Sequence, residues 1–239
     1  MEKHCLGLES ELSMEKLLIW DIDGTLLSCK GAGRISLNKT FKDDYDIENA
    51  FDNIEMAGKM DINILKSILD KNKIDEYEIN DIIYKYGLNL RRQLEENSNL
   101  EILPNVKINL QNSQNDNRIY NVIASGNSEV GGILKLKKAK IHEHFKIGSY
   151  GNNFEYRACL VRNAINIAKF TYDINFSHDN IYMIGDTPDD IIAGKDNNIK
   201  TVALATGGYS YDMLKEIEPD YLFEELPENL IDILMVVDK

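Results

Sequence analysis

The sequence contains few of the residues that mark several classes of protein. Its three cysteines, Cys5, Cys29 and Cys159, are odd in number, lie far apart and form no C-x-x-C pair. This excludes a disulfide framework and predicts a reducing, cytoplasmic location. Only 4 prolines and 15 glycines occur in 239 residues, which excludes collagen-like and low-complexity chains. No apolar run reaches the roughly 18 residues of a membrane span, and the first residues lack the apolar stretch of a signal peptide.

Positive charge is also scarce. The chain has 27 basic and 40 acidic residues, a net charge of −13, and no dense cluster of Lys or Arg. Nucleic acid is therefore not an expected partner, because binding to its phosphate backbone requires a basic surface. If the protein handles an anionic substrate, it needs a local source of positive charge, such as a metal ion or the N-terminus of a helix.

Short apolar runs alternate with helical patterns along much of the chain. Such runs are typical of strands buried on both faces of a sheet. They cover residues 17–20, 119–124, 181–184, 201–204 and 221–223. Strands that alternate with helices predict a parallel sheet covered by helices on both faces. The predicted fold class is therefore α/β, with a Rossmann-like parallel sheet as its core.

Helical patterns replace this alternation between residues 28 and 100. Asp61 is a candidate N-cap of one helix, and a second helix carries an apolar stripe that we expect to face its helical neighbours. The stripe consists of Ile79, Ile82, Ile83, Tyr86 and Leu90. After this region, the sequence predicts a short helix at residues 106–110 and a polar surface loop at residues 111–117.

These patterns divide the chain into three parts. Residues 17–27 and 101–239 are predicted to form the α/β core. Residues 28–100 are predicted to form an inserted α-helical subdomain. Residues 1–16 are polar and precede the first strand, so we expect an N-terminal extension outside the core.

The most informative motif directly follows the first apolar run. It reads Asp21-Ile22-Asp23-Gly24-Thr25, and ligands of open α/β sheets bind at this carboxyl end of the strands. Residues two apart in extended backbone point to the same side, so Asp21 and Asp23 would both face the crevice. Gly24 would permit a sharp turn. The alternative is that these residues only form a turn, since Asp and Gly are common turn residues.

Two more polar motifs follow later strands. Gly185-Asp186-Thr187-Pro188-Asp189-Asp190 comes after one apolar run, and Ser125-Gly126-Asn127 comes after another. Asp186 would point into the same crevice as the first motif, and two acidic strand ends favour a hard cation such as Mg²⁺. The Ser125 hydroxyl and the Gly126 N–H would suit a phosphate at a helix N-terminus. Alternatively, these residues only cap the helices that follow.

Together, in this order and after these strands, the motifs resemble those of the haloacid dehalogenase (HAD) superfamily. The first, second and fourth motifs of that superfamily match residues 21–25, Ser125 and residues 185–190, and the resemblance spans roughly residues 17–226. The insertion falls where C1 caps lie. Further details resemble the phosphoglycolate phosphatase-like branch. They are Gly31-Ala32-Gly33-Arg34, Ala57-Gly58-Lys59-Met60-Asp61 and Ala205-Thr206-Gly207-Gly208.

The resemblance implies a Mg²⁺-dependent phosphatase that hydrolyses a small phosphorylated metabolite, either phosphoglycolate-like or a sugar phosphate. Asp21 would be the nucleophile that forms an aspartyl-phosphate, and Asp23 would be the general acid and base. Asp21, the carbonyl of Asp23, and Asp186 would hold the Mg²⁺, with Asp190 in support. An acid at position 23 favours phosphate ester chemistry, because dehalogenases and phosphonatases of the superfamily lack it.

The resemblance also implies residues that bind the phosphate. Thr25, Ser125 and Gly126 would contact it. A cation of the third motif is expected as well, but the sequence has no Lys-Pro signature. Arg157 resembles the arginine that opens the corresponding helix, and its competitors are Arg162 and Lys169.

Substrate choice in this superfamily depends largely on the cap. Arg34 and Lys59 are the basic candidates in the insertion, since a small carboxylated substrate needs a cationic partner. A solvated helix face is an equal alternative for both. The sequence also leaves open a phosphomutase of the β-phosphoglucomutase type, and a catalytically silent module that binds phosphate esters.

Overall fold

The computed structural model describes residues 15–96 and 99–236. Its strands are β1 (Lys16–Trp20), β2 (Leu27–Ser28), β3 (Glu101–Ile102), β4 (Ile119–Ser125), β5 (Gly148–Tyr150), β6 (Ile181–Gly185), β7 (Lys200–Leu204) and β8 (Tyr221–Phe223). Six of them form one sheet in the order β5-β4-β1-β6-β7-β8, and every neighbouring pair is parallel. The predicted α/β fold class with a parallel sheet is therefore confirmed.

Helices connect these strands. They are α1 (Ala32–Tyr45), α2 (Asp61–Asn72), α3 (Ile79–Glu96), α4 (Val106–Asn115), α5 (Glu129–Lys138), α6 (Arg157–Tyr172), α7 (Pro188–Asp196), α8 (Tyr211–Lys215) and α9 (Leu230–Val236). Helices α4 to α8 each contact a strand of the sheet, and α9 packs on α4. No described helix is long and apolar enough to span a lipid bilayer.

The strand order places a switch point at β1. The chain passes from β1 to β4 and β5 on one side, and later to β6, β7 and β8 on the other. In open parallel sheets, the connections diverge at such a point and leave a crevice at the carboxyl ends of the strands. The residues that follow β1, β4 and β6 therefore border the same crevice.

A buried series of side-chain hydrogen bonds fixes β1 in the sheet. Trp20 donates from Nε1 to Asn121 Oδ1 at 2.9 Å, and Asn121 donates from Nδ2 to Ser113 Oγ at 2.5 Å. A buried polar group that loses its partner costs about 1–3 kcal/mol, so this series favours one alignment of β1, β4 and α4. The strand itself begins at Lys16, which is buried. Lys16 therefore belongs to the sheet, although we expected residues 1–16 outside the core; residues 1–14 lie outside the described residues.

Residues 28–100, here called the helical insert, contain α1, α2 and α3. The sequence shows no convincing strand in this region, but β2 and β3 pair antiparallel at its two ends, with Leu27 opposite Ile102 and Ser28 opposite Glu101. Two-residue strands are too short to produce an alternating apolar pattern. The ladder brings both ends of the insert to one place on the core.

The stripe on α3 faces helices, as expected: α1 of the insert and also α5 of the core, where Tyr86 lies beside Gly131. Two other local predictions need correction. Asp61 is the first residue of α2 rather than its N-cap, which is Met60. Helix α4 continues to Asn115, so most of the predicted loop at residues 111–117 is helical; Ser113 and Leu110 supply its buried face.

Candidate active site

The carboxyl ends of β1, β4 and β6 open into one cavity of about 340 Å³. The core side of its wall contains the sequence-predicted Asp21, Asp23, Ser125, Gly126, Arg157 and Asp186. The insert contributes the opposite side, which includes Arg34, Lys59, Asp61 and Tyr86. The three sequence motifs therefore meet at the crevice where their strand positions placed them.

Asp21 and Asp190 share a buried arginine. Arg157 begins α6, and its Nη2 lies 2.8 Å from Asp21 Oδ1 and 2.5 Å from Asp190 Oδ1. All three residues are at most 8% exposed. The pKa of Asp21 is raised to about 6, because burial and the charge of Asp190 raise it more than Arg157 lowers it. Of the three candidate cations, Arg157 is the one that reaches Asp21, whereas Arg162 donates to Asn197 and Lys169 is not part of the cavity wall.

Asp190 also caps a helix. Thr187 is the N-cap of α7, with Pro188 as the first helical residue, and Thr187 donates from N and Oγ1 to Asp190 Oδ2 at 3.2 and 2.7 Å. Asp190 therefore caps α7 and also binds Arg157 of the site. One oxygen of Asp190 closes the capping box, and the other binds Arg157.

Asp186 is enclosed by backbone. A Cβ atom on Gly24 or Gly207 would overlap its carboxylate, so both positions require glycine. Thr25 donates from Oγ1 to Asp186 Oδ1 at 3.2 Å. Thr25 is fully buried and is not part of the cavity wall. Its hydroxyl therefore orients Asp186, which corrects the expectation that Thr25 contacts the phosphate.

Three buried acids have the chemistry of a cation site. Asp21, Asp186 and Asp190 each offer a carboxylate oxygen, and these oxygens lie within 4.8 Å of one another. Burial, followed by the charges of Asp21 and Asp190, raises the pKa of Asp186 well above its ordinary value. Arg157 supplies one positive charge against three carboxylates, so the set fits a hard divalent cation such as Mg²⁺. The side chain of Asp23 lies outside this cluster.

The turn after β4 is held by the insert. Ser125 is fully buried, and its Oγ accepts from Asn127 Nδ2 at 2.8 Å. Asp61 donates from its backbone N to Gly126 O at 2.8 Å, and its carboxylate accepts from Ser128 N at 2.7 Å. A side chain at Gly126 would overlap the backbone carbonyl of Lys59. The residues predicted to bind phosphate are therefore in direct contact with the start of α2.

Asp23 has a partner that the sequence did not suggest. Lys135 Nζ, from α5, lies 2.5 Å from Asp23 Oδ2 and 2.6 Å from Asn127 Oδ1. Asn127 donates from Nδ2 to the same Asp23 oxygen at 2.8 Å. Lys135 is only 5% exposed. Burial lowers its pKa, but the charge of Asp23 and other neighbours outweighs this effect and raises the pKa overall.

A family model described as haloacid dehalogenase-like hydrolase matches residues 18–204. The chain belongs to this family. A protein of Clostridium perfringens (strain 13 / Type A) with the provisional name pyrophosphatase PpaX is 23% identical over 231 residues, which are 92% of this chain and 98% of that protein. The predicted family resemblance is confirmed.

Two solved structures illustrate the shared fold of these hydrolases. A predicted phosphoglycolate phosphatase from Haemophilus somnus 129pt has a TM-score of 0.63 and 17% identity, over 92% of this chain and 97% of the other. CbbY from Rhodobacter sphaeroides, solved in complex with phosphate, has a TM-score of 0.68 and 14% identity, over 89% and 95%. At these identities, the similarity establishes the fold.

The two basic candidates of the insert differ in this hydrolase. Arg34 donates to the backbone carbonyls of Phe51, Asp52 and Ile54 at 2.6–2.8 Å. Its guanidinium therefore holds a loop of the insert together, which corrects its expected role as a substrate ligand. Lys59 is exposed at the cavity wall.

A signal for Lys135 is present in the sequence of α5. The buried face of this helix includes Gly131, Gly132 and Leu136. Lys135 lies on the same face as Gly131, because residues four apart in a helix are neighbours. A lysine on an apolar helix face needs an anionic partner, and Asp23 is that partner.

Proposed function

We propose that the protein is a Mg²⁺-dependent phosphatase that hydrolyses a small phosphate monoester through an aspartyl-phosphate on Asp21. The observation that carries this proposal is the placement of Asp21 and Asp23 on one cavity wall, each beside a buried cation. Such a pair supplies a nucleophile and a separate proton donor. Family membership and the name of the Clostridium perfringens relative support hydrolysis at phosphorus.

The side chains divide the reaction between them. Asp21 attacks phosphorus while Arg157 fixes one of its oxygens and offsets charge on the transferring group. The Ser125 hydroxyl and the Gly126 backbone bind phosphate oxygens at the end of β4. Asp23 protonates the departing oxygen, and it then takes a proton from the water that hydrolyses the aspartyl-phosphate.

The cation has a defined place in this scheme. Asp21 and Asp186 would hold Mg²⁺ together with the backbone carbonyl of Asp23, and Asp190 would support the site through Arg157. Bound there, Mg²⁺ would neutralise the repulsion between the carboxylates and the incoming phosphate. In a protein with a net charge of −13, this neutralisation is needed before an anion can enter.

The helical insert acts as the cap in this proposal. It forms one side of a cavity of about 340 Å³, which suits a small metabolite rather than a polymer. Lys59 is the exposed basic residue that we expect to meet an anionic leaving group, in place of Arg34.

The proposal is tested by phosphate release from a panel of phosphate esters with Mg²⁺ or with EDTA. The panel contains p-nitrophenyl phosphate, phosphoglycolate and sugar phosphates. We expect turnover that EDTA abolishes and added Mg²⁺ restores. A requirement for a sugar bisphosphate, with isomerised sugar phosphate as product, would replace the phosphatase by the mutase. Tight binding of the esters without any release would establish a silent module.

A further inference from the structure

The geometry points to Lys135 as a positioning residue that, together with Asn127, determines which oxygen of Asp23 exchanges the proton. This inference rests on the proposed phosphatase function. It deepens that function by adding a residue of α5 that lies outside the three motifs.

The two oxygens of Asp23 have different surroundings. Oδ2 accepts from Lys135 Nζ at 2.5 Å and from Asn127 Nδ2 at 2.8 Å. Oδ1 has no hydrogen-bond partner among residues 15–96 and 99–236. The Asp23 side chain is 41% exposed and lines the cavity. One oxygen is therefore anchored to the protein, and the other is available to a ligand.

A neutral carboxylic acid has one hydroxyl oxygen, which donates, and one carbonyl oxygen, which only accepts. Because Oδ2 receives two donated hydrogens, it serves as the accepting oxygen in both protonation states. The exchangeable proton is then confined to Oδ1.

The reaction balances with this assignment. As Asp21 forms its bond to phosphorus, the bond from phosphorus to the leaving oxygen breaks, and that oxygen takes the electron pair together with the proton from Asp23 Oδ1. In the second half, water attacks the phosphorus of the aspartyl-phosphate. Its proton passes to Oδ1, and the Asp21 carboxylate departs.

Lys135 lies between the proposed acid and the turn after β4. Lys135 comes from a helix that lies against the insert; the residue is only 5% exposed, and its ammonium contacts both Asp23 and Asn127. Asn127 also donates to Ser125 Oγ at 2.8 Å. Hydrogen bonds thus connect the acid to the phosphate-binding turn through Lys135, Asn127 and Ser125. They fix the position of the proton donor relative to the phosphate.

The experiment compares two aryl phosphates of similar shape in the presence of Mg²⁺. Phenol has a pKa of about 10, as in tyrosine, so its departure needs a proton donor. The p-nitrophenolate of p-nitrophenyl phosphate is a much better leaving group and needs little assistance. We compare kcat/KM for both substrates in the wild type and in Lys135→Met, because kcat/KM reports the steps up to departure of the first product.

We expect Lys135→Met to lower kcat/KM for phenyl phosphate at least about tenfold more than for p-nitrophenyl phosphate, since general acid catalysis contributes about 10²–10⁴-fold. Lys137→Met is the matched control, because Lys137 is exposed on the same helix. It should leave both values unchanged. If Lys135→Met does not fold, Lys135→Gln, which keeps a neutral donor, must show the same substrate-dependent loss in a smaller degree.

The outcomes separate the two proposals. Equal losses for both substrates in a folded variant would show that Lys135 only supports the structure, and the inference would be wrong while the phosphatase function stands. If the wild type releases phosphate from neither substrate with Mg²⁺, the proposed function itself fails, and the inference fails with it.

Discussion

Asp21 and Asp23 are two residues apart on the same strand end, yet the protein gives them opposite surroundings. The Asp21 side chain is 9% exposed and contacts Arg157 of α6, whereas the Asp23 side chain is 41% exposed and contacts Lys135 of α5. Alternation along the strand makes both face the cavity. The difference therefore comes from the helix that reaches each one. In the proposed mechanism, it separates a fixed nucleophile from an acid that must exchange protons.

Among the substitutions at these two aspartates, Asp21→Asn should lower the activity most. The amide is nearly isosteric but a poor nucleophile, so we expect kcat with p-nitrophenyl phosphate to fall at least about 10³-fold. The melting temperature should stay within a few degrees, which thermal unfolding followed by circular dichroism would check. Activity within about tenfold of wild type would rule out the nucleophile assignment.

Asp23→Asn should have a smaller effect that depends on the substrate. We expect about a 10²-fold or larger loss of kcat/KM with phenyl phosphate, and a clearly smaller loss with p-nitrophenyl phosphate, because only the first leaving group needs a proton. Steady-state kinetics on both substrates measure the contrast. Identical losses would contradict the role of Asp23 as general acid.

The contrast between the two aspartates was only partly predictable from sequence. The strand runs and the acids that follow them are local signals, so the sheet, the crevice and Asp21, Asp23 and Asp186 could be placed together. The partner of Asp23 could not, since Lys135 lies 112 residues away and the pairing depends on how α5 packs.

The same limit explains the other corrections. Arg34 binds carbonyls of a loop whose path no local pattern describes. Thr25 faces Asp186 because β1 and β6 are neighbours, and this is a consequence of sheet order. The end of α4 is rich in Gln, Asn and Ser, which are common in loops, so its helical structure depends on packing against β4 rather than on composition.

Mg²⁺ is expected to bind on the buried side of the site and to raise the stability of the folded protein. At a concentration 100 times its dissociation constant, a ligand that binds only the folded state stabilises it by about 2.7 kcal/mol. For a chain of this size, we expect the melting temperature to rise by roughly 5–10 °C. Asp186→Asn should remove most of this shift in thermal melts with Mg²⁺ and with EDTA.

Asp189→Asn is the matched control for this experiment. It makes the same charge change at an exposed neighbouring position, and it should keep the shift. If Asp186→Asn responds to Mg²⁺ as the wild type does, the cation does not bind among these carboxylates.

The smallest effects are expected from the basic residues of the insert. Arg34→Met removes three hydrogen bonds to backbone carbonyls, and we expect a loss of about 2 kcal/mol in stability, with kcat/KM changed only a few-fold. Lys59→Met should leave the melting temperature unchanged and raise KM by a few-fold for substrates with an anionic leaving group. Thermal melts and kinetics on phosphoglycolate would distinguish the two variants. If Arg34→Met instead raised KM and left the melting temperature unchanged, Arg34 would be a substrate ligand.

The contact between Gly126 and the carbonyl of Lys59 has a consequence for turnover. Because Asp61 is hydrogen-bonded to both Gly126 and Ser128, the insert cannot move away from the core without releasing the turn that we propose to bind phosphate. In the proposed mechanism, an open form would therefore lack these two hydrogen bonds, and only the closed form would hold the phosphate-binding turn in place. In the same mechanism, opening would release inorganic phosphate, and closure would exclude bulk water from a bound ester.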